Sequence, residues 1–183
     1  MNSEDTTWIA LFRGINVGGH HHLPMADLRR EIEALGLTGV RTYIQSGNVV
    51  FQAPAIDRAT LAERVGDSVE THHGFRPRII LLASDELQRA IEANPFPEAI
   101  EEPKTLHLAF LAESAKAIDL GALANAKAPS ERYALHERVF YLHAPDGIAR
   151  SKLAGTVDKL LGVATTSRNY RTVAKLAEMA KGR

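Results

Sequence analysis

Arg13-Gly14-Ile15-Asn16-Val17-Gly18-Gly19 stands between an apolar run, Trp8 to Phe12, and a helix signal that opens at Pro24. A glycine-rich loop that leaves a buried strand and enters a helix can turn successive main-chain N–H groups inward, forming a nest for an anion. Gly14, Gly18 and Gly19 would permit close approach of a ligand, and Arg13 and Asn16 supply charge and donors. The spacing is neither G-x-G-x-x-G nor a phosphate-binding loop ending in Lys-Ser/Thr, so the familiar nucleotide motifs are absent. A second polar stretch, Gln45-Ser46-Gly47-Asn48, has the chemistry of a tight turn. A third, Thr165 to Arg171, precedes the last helical stripe. Thr166, Arg168 and Asn169 at a helix start would suit a phosphate or carboxylate.

Other reactive types are abundant but poorly arranged. Eight histidines include His20-His21-His22 and His72-His73, which the topology below can gather at one edge. Neutral imidazoles ligate zinc or nickel. Adjacent rings on one loop, however, do not converge on one ion, and there is no Cys and no H-E-x-x-H. The reading is therefore solvated loop imidazoles, with no metal and no cofactor. His107, within an apolar run, is expected to be a satisfied core residue. No Ser-His-Asp triad or glycosidase-like carboxylate pair is legible, so enzymatic activity stays open.

These segments need elements to position them. Trp8 to Phe12 is continuously apolar, as a strand buried on both faces would be. Met25, Leu28, Ile32 and Leu35 recur at helical spacing, and Gly36 ends the stripe. Val40, Thr42 and Ile44 alternate with polar residues, the turn follows, and Val49-Val50-Phe51 resumes the pattern as a hairpin. Asp57 caps a helix striped by Leu61, Val65 and Val69, and Arg78 to Ala83 is a fourth strand.

The order β-α-β-β-α-β predicts a ferredoxin-like split unit with a four-stranded antiparallel sheet over residues 1–83. Leu11, Ile32, Ile44, Val65 and Ile80 are expected to share its core. Residues 84–183 read as a second, smaller α+β half. It has a strand at Leu106 to Leu111, an Ala-rich helix, a hairpin over Tyr133 to Leu142, and two closing helices. In a split unit, the end of the first strand and the turn between the second and third lie at one edge of the sheet. Arg13, Asn16, Gln45, Ser46 and Asn48 are therefore expected to converge.

Composition bounds the partners. The 183 residues are 45% hydrophobic and 24% charged, an ordinary globular mix. Twenty-two basic and 22 acidic residues cancel, so the chain as a whole is no polycation. Residues 84–119 hold eight acids and three bases, and residues 150–183 hold eight bases and two acids, an asymmetry that can mark two faces. No apolar run approaches the roughly 20 residues of a membrane span. The acidic start, Met1 to Asp5, lacks a secretory apolar region and reads as cytoplasmic.

Several of these stretches together form a family pattern. Arg13 to Gly19, Leu23-Pro24-Met25, and Val40 to Phe51 resemble the bacterial domain-of-unknown-function family 1697. Asn94-Pro95-Phe96, Arg150-Ser151-Lys152-Leu153 and Thr166-Ser167-Arg168-Asn169 are similar to its later motifs. The resemblance implies a two-part α+β protein whose first part is ferredoxin-like, and it implies no activity. This chain has His20-His21-His22 where the family pattern leads one to expect Lys and Asn, and Tyr170 where it leads one to expect Trp.

The functional expectation is a binder of a phosphate-bearing or other anionic ligand at the Gly-rich loop edge, using Arg13, Gly14, Asn16, Gly18, Gly19, Gln45, Ser46 and Asn48. Thr166, Arg168 and Asn169 join if the second half folds over that edge. The ligand is either a small anion or a nucleic-acid backbone. The alternatives are a transferase or hydrolase acting on such a ligand, and a protein or nucleic-acid interaction module.

Overall fold

The structure, a computed structural model, describes residues 5–54, 56–116 and 118–182. The chain divides into two compact units, Met1–Gln88 with Leu176–Arg183, and Arg89–Lys175.

The first unit contains β1 (Thr6–Arg13), α1 (Met25–Ala34), β2 (Thr38–Tyr43), β3 (Asn48–Ala53), α2 (Arg58–His73) and β4 (Arg78–Ala83). Its sheet is antiparallel throughout, in the order β2-β3-β1-β4. β1 is central because its run of apolar residues needs cover on both faces and partners on both edges: Trp8 lies opposite Phe51 on one side and Ala83 on the other. Trp8, Ala10 and Phe12 share one face and pack with Leu28 and Ile32 of α1 and Leu61, Val65 and Val69 of α2. α2 starts at Asp57, whose carboxylate accepts from the Thr60 N–H at 2.9 Å, and ends at Gly74 with φ +74°.

The expected core is corrected in three places. Ile32 and Val65 do share the cluster, but Leu11 and Ile80 are buried on the other face of the sheet, since successive strand residues alternate. Ile44 is not a core residue. β2 ends at Tyr43, and Ile44 enters the turn with φ +49° and half its surface exposed.

The second unit contains β5 (Leu106–Leu111), α4 (Leu120–Ala126), β6 (Arg132–His136), β7 (Val139–His143), α5 (Lys152–Leu161) and β8 (Thr165–Asn169). Its sheet order, β6-β7-β5-β8, repeats that of the first unit position for position. The β-α-β-β-α-β unit is therefore made twice, where the sequence shows only a partial recurrence. The strand that completes it is β8.

Thr165 to Asn169 is not the helix start that the sequence suggests. It pairs antiparallel with β5, from Thr165 opposite Leu111 to Asn169 opposite His107. Two β-branched threonines favour a strand here, and the Thr165 hydroxyl donates to Asp158 at 2.6 Å. The last helix, α6 (Tyr170–Ala180), begins one residue later and is capped by Asn169, whose side chain accepts from the Thr172 N–H at 3.0 Å. A further helix, α3 (Ser84–Glu92), follows β4. Among the described residues, no helix is long and apolar enough to cross a membrane.

Candidate functional site

The loop after β1 folds on itself before α1 begins. Val17-Gly18-Gly19-His20 is a tight turn closed by the His20 N–H to the Val17 carbonyl at 3.2 Å, and the Asn16 N–H donates to His21 at 3.1 Å. Gly18 and Gly19 have φ of +62° and +77°, the left-handed pair such a turn requires. No atom lies within 4 Å of a Cβ added at Gly14, Gly18 or Gly19. Their glycine character here serves backbone conformation, and no close approach within the protein demands it.

Asn16 is the clamp of this loop. Its amide donates to the carbonyls of Leu23 and Gln45, each at 2.8 Å, and its oxygen accepts from the Leu23 N–H at 2.8 Å. One side chain thus closes the loop and ties it to the β2–β3 turn. A second tie is the Phe12 N–H to the Gly47 carbonyl at 2.8 Å. Gly47 has no room for a side chain: a Cβ would lie 2.5 Å from Ile15 Cδ1 and 2.6 Å from Phe12 Cβ. Asn48 is fully buried and donates to the Tyr43 carbonyl and the Ser46 hydroxyl, each at 3.0 Å. Asn16 and Asn48, read in the sequence as ligand donors, therefore spend their amide hydrogens on holding the two segments in shape.

Between the segments lies a cleft of about 690 Å³, lined by Asn16, Gly19, His20, His22, Gln45 and the start of α1. Pro24 occupies the N-cap position, and the Asp27 and Leu28 N–H groups both return to its carbonyl. Helix geometry leaves the Met25 and Ala26 N–H groups without an intrahelical acceptor, at the positive end of the helix dipole. The cleft thus combines main-chain donors, two imidazoles and the exposed Gln45. Arg13 is exposed at the end of β1, opposite Arg78 of β4.

His20 to His22, His72 and His73 divide among three settings. His20 and His22 line the cleft, a role the sequence leaves unmarked because loop histidines are usually only solvated. His21 stacks on Phe75, with ring centroids 4.5 Å apart, and its Nδ1 lies 3.1 Å from the Gly14 carbonyl. His72 and His73 flank Glu31 of α1, with His73 Nε2 at 2.5 Å. Among the described residues, no three His, Cys, Asp or Glu side chains are placed to hold a metal ion. His107 is buried in β5 with Nε2 2.9 Å from the Lys104 carbonyl, and burial holds its pKa below the ordinary value.

Thr166, Arg168 and Asn169 belong to β8 of the second unit. Thr166 is buried in the ladder, and Asn169 caps α6. Arg168 is half-buried, with a guanidinium N–H to the Ser167 carbonyl at 2.9 Å, and desolvation pulls its pKa down to about 10.

Comparison with known proteins agrees with this architecture. Residues 6–141 match the family described as Protein of unknown function (DUF1697). A solved structure, that of the conserved bacterial protein SP0830 from Streptococcus pneumoniae, superimposes with a TM-score of 0.73 at 23% identity, covering 96% of this chain and 99% of that one. The likeness is one of fold. No curated protein matches the chain. By the extent of the family match, the chain belongs to DUF1697.

Proposed function

We propose that this member of DUF1697 binds a phosphate-bearing or other small anion in the cleft between loop 14–24 and the Ile44 to Gly47 turn. The supporting observation is the internal repeat, which builds the same edge in two ways. In the second unit the β6–β7 turn is only Glu137 and Arg138, and the same tie forms, Leu111 N–H to the Arg138 carbonyl at 2.9 Å. There the Arg138 guanidinium covers the edge by donating to the Leu111 and Ala112 carbonyls. The second copy therefore closes the same edge with a two-residue turn, where the first uses the longer Ile44 to Gly47 turn. A feature that one copy dispenses with calls for a reason beyond folding.

In this reading the Met25 and Ala26 N–H groups take the anion, as helix N-termini do. His20, His22 and the Gln45 amide donate from the walls, and Arg13, exposed where β1 enters the loop, adds charge. Asn16 and Asn48 are positioning residues. The test is a titration with inorganic phosphate and sulfate, followed by amide shifts. Shifts at residues 14–26 and 43–48, weakened about tenfold or more in Arg13→Ala, the scale of one charge-assisted hydrogen bond, are expected. Shifts confined to other surfaces overturn it.

A further inference from the structure

Next in sequence to two lining residues of the cleft stand two exposed apolar residues that an anion by itself does not use. Val17 is 65% exposed and Ile44 is 51% exposed. Val17 follows Asn16 and Ile44 precedes Gln45, and the Asn16 amide donates to the Gln45 carbonyl at 2.8 Å. Each apolar residue thus adjoins a lining residue, Asn16 on one side and Gln45 on the other.

Ile44 is also a conformational exception. Its φ of +49° places a β-branched residue in the left-handed region, where glycine or asparagine sits with less strain. Among the described residues, the first unit has two other non-glycine residues there, and each has a visible return. Asn16 makes the clamp described above, and His21 sets its ring against Phe75 and the Gly14 carbonyl. Ile44 pays strain for a side chain that gains little burial in the protein itself. Such outliers collect at binding sites.

Size points the same way. A cleft of about 690 Å³ is far larger than a bare phosphate needs and falls among those that hold organic ligands, roughly 300–1,000 Å³. Resting on the anion-binding reading, we infer that Ile44 and Val17 form an apolar rim for the uncharged part of the ligand. The ligand class is a phosphate ester bearing a ring or other apolar group, of which a nucleoside monophosphate is the simplest soluble example. The phosphate goes to the start of α1, and the ring lies against the rim.

The experiment compares inorganic phosphate, ribose 5-phosphate and adenosine monophosphate on the full chain by calorimetry and amide shifts, for the natural protein, Ile44→Gly and Val17→Ser. The expected result is at least tenfold tighter binding of the nucleotide than of ribose 5-phosphate. Ile44→Gly should erase most of that gain, leave phosphate binding unchanged and raise Tm, because the strain is released. Val17→Ser gives the same loss without the backbone change. Equal affinities for the three ligands, an unchanged nucleotide affinity in both variants, or a lower Tm in Ile44→Gly overturns this inference while phosphate binding stands. If none of the three ligands shifts residues of the cleft, the anion-binding reading itself falls.

Discussion

At the scale of single residues, the loop edge is held by side chains that have no charge and little apolar surface. Gly47 is the tightest point. An alanine there places its Cβ within 2.6 Å of Ile15 and Phe12 and must also hold φ +75°. Overpacking and a left-handed alanine add, so Gly47→Ala should lose about 2–4 kcal/mol in denaturant melts. Gly14→Ala meets no atom and should lose only about 1–2 kcal/mol, the conformational part alone. Asn16→Ala removes three hydrogen bonds and leaves the Leu23 main chain to find water, a loss of about 1–3 kcal/mol. Its amide shifts should spread over both the loop and the 43–48 turn, because Asn16 is the link between them.

His107 gives a residue-scale test in pH. Burial lowers its folded-state pKa below the ordinary 6.5, so the unfolded chain takes up this proton first as pH falls. The sign follows from linkage: this site favours the folded state least below the folded-state pKa, and its full contribution is present above about 6.5. Melts of the natural protein should lose stability between pH 7 and the folded-state pKa, and His107→Gln should show a smaller loss over the same window. Equal slopes for the two proteins count against a neutral, buried His107.

At the scale of elements, β8 shows how local signals compete. Thr165-Thr166-Ser167-Arg168-Asn169 contains good helix-capping residues, and one of them does cap. Asn169→Ala should cost about 0.5–2 kcal/mol by removing the acceptor for the Thr172 N–H, readable as a fall in denaturation midpoint. The four residues before it are recruited by β5, whose edge would otherwise present unpaired main-chain groups. The β2 end is the converse case. Val40, Thr42 and Ile44 alternate as one strand would, but the chain turns after Tyr43 because Gly47 and Asn48 fix the turn around their own contacts. Ile44→Ala, whose side chain is half-exposed, should therefore change stability by no more than about 0.5 kcal/mol, the range of a surface site.

At the scale of the whole molecule, the sequence by itself determined the α+β class and the first split unit, with β1 central in its sheet. Those follow from periodicity, and periodicity is written locally: a strand buried on both faces is apolar at every position, and a helix repeats its apolar residues at three and four. It also placed the end of β1 and the β2–β3 turn at one edge, because the order of elements implies it. Tertiary structure decided what the polar residues of that edge are for. Asn16 and Asn48 have the composition of ligand donors, yet their hydrogens are consumed by carbonyls 7, 29 and 5 residues away and by a neighbouring hydroxyl. It also decided that His20 and His22, not His21, face the cleft, and that Ile44 lies outside the core. Hydrogen bonds and strand edges pair groups distant along the chain, and the type of a residue does not say which partner reaches it first.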